Sequence, residues 1–544
     1  MKYIKKRERF INENKDLVRD DALDTLAAQS DGQPSEVQEP LKKLDSAKAG
    51  SKVVTRFAPS PTGFLHIGGL RTALYNYLFA KKHGGIFYLR VEDTDQKRYV
   101  GDAEKYIKDA LEWLGIEPDY APWNLGPEPY NKMRQSERDY SGHIKTLMDS
   151  GFGYYAFDTT QEMDAARAKD KWFSYGAKTR MSMKNSLSLP KEEVDKLMTA
   201  GAPYVIRFKL PEEQDVSFND IIRGNIKQNT KELDDKVLIK STGIPTYHFA
   251  NVCDDHDMGT THVIRGEEWI SSTPLHTLLY KSMGWEAPQY AHLPLLLNPD
   301  GKGKLSKRKA FSLGIPVFPM GGEGEDDKGK MVKYKGFKDE GYYAEALRNF
   351  LLMLGWAPSD DRELFSLADM ISEFDLSRVH KSGAKFEIDK AKWYNQNYMQ
   401  EQDDAEILRH VDLGSTYKYG EEKMKMIIDI AKKRSTFPGE INTVTDIFFK
   451  PVTLSAAEKE LASDDFKKVF TQYIEEIDSI NWDDADDIKQ KIYLVSKANG
   501  IGMGKVMRPL RQAIADGVPG PDLPITMQIL GKEECIKRIQ NMMN

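Results

Sequence analysis

Cysteine is almost missing from this chain: only Cys253 and Cys535 occur in 544 residues, which excludes a disulfide framework and points to a reducing, cytoplasmic compartment. Long hydrophobic runs are missing too. No stretch approaches the roughly 18 apolar residues of a membrane-spanning helix, so no membrane association is expected. Nor is there an excess of positive charge. A formal net charge of −6 excludes a uniformly basic nucleic-acid binder, but a local basic face would still suffice for one. The length, by contrast, is ample for three or four domains with cores of their own.

What the sequence does contain is a conspicuous junction. An apolar run, VVTRFA at 53–58, leads into PSPTGFLHIGGLRT at 59–72 and then into a helical pattern opening at about Ile67. A strand, a Pro/Gly loop and a helix start in that order make a phosphate site: the first-turn N–H groups and the positive dipole end face an anion. Pro59 and Pro61 stiffen the loop, and Ser60 lies between them. Gly63, Gly68 and Gly69 allow close backbone approach, His66 falls where phosphates would lie, and Arg71 adds charge in the first turn. A glycine-containing turn alone would be unspecific.

The second feature is KLSKR at 304–308, introduced by Asn298, Pro299, Asp300, Gly301 and Gly303. Lys304, Lys307 and Arg308 around Ser306 make a basic loop able to close over polyphosphate. Alone it would read equally well as a solvated turn. The pairing of the two segments carries the argument.

HIGG at 66–69 and KLSKR resemble the HIGH and KMSKS signatures of class I aminoacyl-tRNA synthetases, in the forms carried by the glutamyl group. LRVEDTD at 89–95, PTYHFANVCDDHDMG at 245–259 and VIRGEEWISSTPLH at 263–276 are similar to further strings of that family. The resemblance extends over nearly everything after residue 51. It implies ATP as cosubstrate, with Mg2+ bound to it, L-glutamate and tRNA(Glu) as substrates, and a monomeric enzyme. His66, Lys304 and Lys307 would be catalytic. Pro59, Ser60, Gly63, His66, Gly68, Gly69, Lys304 and Lys307 would hold ATP. Arg56, Ala58, Ser60, Glu92, Tyr247, Asn251 and Arg265 would line the amino-acid pocket. Glu92 would meet the substrate ammonium, and Arg265, where glutaminyl enzymes carry a small uncharged residue, would favour a side-chain carboxylate over an amide. Glutaminyl-tRNA synthetase is the alternative.

Other residues read less sharply. Trp269 is expected either to pack against adenine or to fill core, with core preferred. His248, His256 and His262, with Asp254, Asp255 and Asp257 nearby, fit no compact zinc spacing, so no protein-bound metal is expected there. The resemblance also implies a region where some glutamyl enzymes hold zinc with three cysteines and a histidine. Here YYAFDTTQEMDAAR at 154–167 has no cysteine, and no zinc is expected.

The fold class that follows is α/β: a Rossmann-type parallel-sheet catalytic domain at 52–318 with an acceptor-binding domain inserted at about 118–243. A stem-contact region at 319–390 and an all-α anticodon-binding domain at 391–544 complete it, since helical patterns dominate the tail and no repeated short β-runs occur. Residues 1–51 form an N-terminal extension, partly helical or disordered, with neither a secretory h-region nor the acid-poor composition of a transit peptide. FPMGGEGEDDKGKMVKYKG, after the basic loop, reads as an exposed insertion.

Overall fold

In a computed structural model, the structure describes residues 52–95, 100–306, 309–310, 313–325, 331–413 and 419–544. The expected extension at 1–51, and Lys307 and Arg308, lie outside the described residues. The chain divides into two compact units, with the boundary between Ala391 and Lys392.

The first unit is organised by parallel strands. Strand β1 (Val54–Phe57) is buried along its whole length and runs parallel to β2 (Ile86–Leu89), with Val54 opposite Ile86. Between them runs helix α1 (Ile67–Lys82), whose last turn carries Lys81 and Lys82 where the dipole favours cations. The return to β2 needs Gly85, because a Cβ there would stand 2.2 Å from the Val53 carbonyl oxygen.

Beyond a lobe described below, the antiparallel pair β5 (Asp215–Asp220) and β6 (Gly224–Asn229), helix α6 (Tyr247–Asp257), β8 (His262–Gly266), helix α7 (Thr273–Ser282) and β9 (Gln289–Leu293) follow. Strands β8 and β9 are parallel, with Arg265 opposite His292, and β9 pairs parallel with β5 at Asp220 and Tyr290. Val54 donates to Thr261 Oγ1 at 2.8 Å and Thr261 returns its N–H to the Val54 carbonyl at 3.0 Å, which joins β1 to β8. The strands form two sheets, β2–β1 and β8–β9–β5–β6, tied at their facing edges by the Val54–Thr261 contacts. The carboxyl ends of parallel strands are the edge at which α/β folds place ligands.

After β2 comes helix α2 (Ala103–Leu114), and the lobe that follows contains a separate antiparallel sheet of β3 (Gly153–Ala156), β4 (Val205–Phe208) and β7 (Val237–Ile239), with helices α3 (Ser141–Asp149), α4 (Thr160–Lys169) and α5 (Lys191–Thr199). The string at 154–167 forms β3 and most of α4. Buried hydrogen bonds tie this lobe together: Asp235 accepts from Tyr154 Oη at 2.7 Å and from the Leu210 N–H at 3.1 Å, and it pairs with Arg180 Nε at 3.1 Å. The Arg207 guanidinium lies 3.9 Å over the Tyr175 ring.

The segment expected as an exposed insertion carries packed residues. Gly322–Glu325 and Met331–Tyr334 pair as an antiparallel hairpin. The Tyr334 ring stacks on buried Phe318 at 4.3 Å and meets Phe64 edge-on at 5.7 Å. Helix α8 (Ala344–Met353) then stops before Gly355, which takes a φ of +103°.

The second unit is helical among the described residues. Its helices present stripes at helical spacing, such as Phe466, Val469, Phe470 and Tyr473 in Asp464–Glu475. Arg538 links several of them, its Nη2 donating to the Ile447 carbonyl at 2.9 Å and its Nη1 to that of Ile514 at 2.5 Å. Among the described residues no helix is long and apolar enough to cross a membrane.

Candidate active site

At the carboxyl ends of the parallel strands lies a cavity of about 450 Å³, within the range of small-molecule sites. Its floor comes from strand ends, one wall from the loop and first turn of α1, and the other from α6 and the segment after β8.

On the α1 wall, His66 is the helix N-cap. Its Nδ1 accepts from the N–H groups of Gly68 at 3.0 Å and Gly69 at 3.3 Å, while Ile67 donates to the Val317 carbonyl at 3.0 Å. The first-turn N–H groups are thus already occupied, contrary to the expectation that they await an anion. Because Nδ1 accepts, the imidazole proton sits on Nε2, and the exposed ring is a donor on the cavity wall. Gly68 and Gly69 also leave room for neighbouring side chains. A Cβ on Gly69 would stand 2.6 Å from Leu65 Cδ1. Gly63 is required for its φ of +154°, with open space around it.

Arg71 does not serve an anion. It is buried, and Nη1 donates to the Leu354 carbonyl at 2.7 Å while Nη2 donates to that of Pro294. Lys304 does line the cavity, more than half exposed, with Nζ 3.5 Å from Glu268 Oε1.

The opposite wall is set by one face of α6. Tyr247, Asn251 and Asp255 recur every fourth residue. Asp255 takes the Arg56 guanidinium, Nε to Oδ1 and Nη2 to Oδ2 at 3.1 Å each, and also Arg90 Nη1 at 2.9 Å. Burial alone would depress the Arg56 guanidinium, but the Asp255 carboxylate outweighs it and holds it above its ordinary value. Burial would likewise raise Asp255, and Arg56 and Arg90 overcome it, so this carboxyl stays below the usual range.

Glu92, just past β2, accepts from Asn251 Nδ2 at 2.8 Å and Arg90 Nη2 at 3.2 Å. Burial pushes its carboxyl up against both partners. An approaching ammonium would restore the ionised form.

Arg265, 5 % exposed, differs from Arg56 in kind. Its Nε donates to His292 Nε2 at 3.1 Å, Nη2 to Thr273 Oγ1 at 2.9 Å, and Nη1 to His276 Nδ1 at 3.3 Å and Tyr247 Oη at 3.4 Å. All of these acceptors are neutral, and among the described residues no carboxylate pairs with this guanidinium. Burial pushes the Tyr247 hydroxyl up to about 12 and, with Arg265 beside it, holds His276 far below its ordinary value. A buried cation without a counter-ion is an invitation to an anionic ligand.

Arg56, Ala58, Ser60, His66, Gly68, Gly69, Glu92, Tyr247, Asn251, Arg265 and Lys304 therefore line one cavity, whereas Pro59 and Gly63 do not. Trp269 belongs to the cavity as well, not to the core: it is half-buried and lies over the Tyr247 ring at 4.3 Å. Asp255, Glu268, His276 and His292 were not singled out for this site from sequence. The histidines engage other rings: His256 stacks on Trp285 at 3.9 Å, and His248 Nδ1 lies 3.1 Å from His276 Nε2.

A family model described as tRNA synthetases class I (E and Q), catalytic domain, matches residues 52–316 and 326–393, and one described as anticodon binding domain matches 392–543. The chain is similar to the glutamate–tRNA ligase of Flavobacterium johnsoniae, 46% identical over 502 residues, spanning 90% of this chain and 98% of that protein. It is equally similar to that of Christiangramia forsetii, 46% identical over 506 residues, with 90% and 98% covered. Among solved structures it resembles a glutamate tRNA ligase from Elizabethkingia meningosepticum in complex with its amino acid. There the TM-score is 0.79 at 46% identity, covering 91% of this chain and 99% of the other. The glutamate-tRNA synthetase of Elizabethkingia anophelis gives 0.78 at 47% identity, with 91% and 100% covered.

Proposed function

This chain belongs to the class I tRNA synthetases of the glutamate and glutamine group, and on that premise we propose that it joins L-glutamate to tRNA(Glu) at the expense of ATP, with glutamate rather than glutamine as substrate. The single observation that carries the choice is Arg265, a buried guanidinium on the cavity whose protein partners are all neutral. A glutamate side chain supplies the missing negative charge. A glutamine amide does not, and would leave the cation buried and unmatched.

In the first step the α-carboxylate, already ionised, attacks the α-phosphorus of ATP and diphosphate leaves, so no general base is needed and catalysis is positioning and charge stabilisation. Glu92 receives the substrate ammonium. His66, proton on Nε2, and Lys304 take the phosphate oxygens, and Lys307 joins them by its place in KLSKR. Ser60, Gly68 and Gly69 line the same side, with Pro59 and Gly63 shaping the loop behind it. ATP enters as its magnesium complex, an ion that prefers phosphate and water oxygens to a protein cage. In the second step the 2′-hydroxyl of the terminal adenosine attacks the mixed anhydride, and AMP leaves. The lobe at about 118–243 takes the acceptor end, 319–390 meets the stem and 391–544 reads the anticodon. The enzyme acts as a cytoplasmic monomer.

Pyrophosphate exchange in the presence of tRNA tests this reading. Glutamate supports exchange and glutamine at equal concentration does not, and Arg265→Gln raises the glutamate KM by about 100-fold, the worth of a charge-assisted pair. Equal exchange with glutamine would overturn it.

A further inference from the structure

Three strand ends converge behind Arg265. Register puts Arg265 on β8 directly beside His292 on β9, and β9 lies beside the last residue of β5, Asp220. His292 and Asp220 are both fully buried, and His292 Nδ1 lies 2.6 Å from Asp220 Oδ2. The arginine can only donate, so His292 Nε2 must accept from Arg265 Nε, and Nδ1 then carries the proton given to Asp220. One tautomer satisfies both contacts, and the other would set an N–H against the guanidinium.

We propose that Asp220 and His292 are positioning residues for substrate choice: Asp220 fixes the tautomer and tilt of His292, and His292 fixes the plane of Arg265 toward the side-chain carboxylate. This rests on the reading of Arg265 given above. The arrangement solves a specific problem. A carboxylate placed directly on Arg265 would orient the guanidinium but also neutralise it, as Asp255 does for Arg56. One imidazole inserted between them orients it and leaves its charge for the ligand. Asp220 is itself held rigidly, accepting from the backbone N–H groups of Ile222 at 3.0 Å, Arg223 at 2.9 Å and His292 at 3.0 Å. Its carboxyl stays below the usual range: burial would raise it, and the hydrogen bond from His292 and those backbone donors prevail. Arg223, the other cation here, donates to the His292 carbonyl at 3.2 Å and pairs with Glu267.

Two substitutions separate positioning from mere packing. His292→Asn keeps a donor near Asp220 and removes the acceptor for Arg265, whereas His292→Gln returns an oxygen to the Nε2 position. In tRNA charging by the full-length enzyme, His292→Asn raises the glutamate KM by about tenfold, the scale of one hydrogen bond to a charged group. It leaves the ATP KM unchanged and narrows the glutamate-to-glutamine ratio, and the Gln variant recovers most of the loss. Asp220→Asn shifts the glutamate KM in the same direction. An unchanged glutamate KM in His292→Asn, or equal losses in the Asn and Gln variants, would overturn the dyad while wild-type glutamate charging left the functional reading intact. Indifference of the wild-type enzyme to glutamate would instead remove that reading itself.

Discussion

A Cβ at residue 68 would stand 2.8 Å from His66 Cε1 and 3.0 Å from its Nδ1, so Gly68 is what lets the His66 ring fold back over the first turn of α1. Gly68→Ala therefore pushes the ring off its two N–H donors. Loss of the cap costs about 1 kcal/mol of stability, and the displaced Nε2–H slows adenylate formation by about tenfold or more. Thermal unfolding and pyrophosphate exchange measure the two effects separately. Wild-type exchange with a lowered unfolding midpoint would leave His66 a structural cap alone.

Acid should destabilise this protein well above the carboxylate range. Burial lowers His248 and His262 to about 4 and holds His276 and His292 below the ordinary 6.5. In the unfolded chain each takes up its proton near 6.5, so below that pH the unfolded state binds more protons than the folded one. Stability is then complete above 6.5 and falls as the pH drops toward 4, by at most about 1.4 kcal/mol per pH unit for each histidine. Asp255 adds a later loss: its folded carboxyl lies below 3.8, so its contribution is present above that value and disappears as the pH falls through the folded one. Urea midpoints between pH 8 and pH 4 follow the slope, and His262→Gln should flatten it.

Asp235 is the keystone of the lobe between β2 and α6. Asp235→Ala leaves Arg180, 6 % exposed, without its counter-ion and the Tyr154 hydroxyl without its acceptor, at a cost of about 3–5 kcal/mol. Hydrogen exchange should speed up across β3, β4 and β7 while β1 and β8 keep their protection. Uniform loss of protection would mean that the lobe and the sheet unfold together.

The strand, loop and helix at 53–82 were readable because their signals are local: an apolar run, a Pro/Gly loop, a helical period and a glycine stop. The boundaries moved by only one residue at each end of the first strand, β1 running Val54–Phe57 within the expected 53–58. Arg71 was misread for a complementary reason. Its partners Leu354 and Pro294 are 283 and 223 residues away, and nothing near it reveals that both its terminal nitrogens are bound to backbone carbonyls. His276 and His292 lie only 11 and 27 residues from Arg265, but strand register and helix packing rather than any local pattern bring them to it, with Asp220 behind His292. Trp269 failed on a subtler point, since a side chain stacked on a cavity wall and one stacked in the core carry the same sequence pattern. The pairing of Gly322–Glu325 with Met331–Tyr334 was invisible because the glycines and acids there resemble a loop, whereas Tyr334 stacked on Phe318 gives it a packed face.

The ring of neutral acceptors around Arg265 also bears on how such a pocket could change its substrate. Replacing Arg265 with a small residue would strand the lone pair of His276 Nδ1 in a buried space, at a cost of about 1–3 kcal/mol, and leave His292 Nε2 with only the Thr273 hydroxyl at 3.2 Å. A drift from acid to amide is therefore not one step but several coordinated ones. Until both imidazoles change with it, a substitution at 265 yields a poor enzyme for either amino acid, and the intermediate is a valley that selection would have to cross.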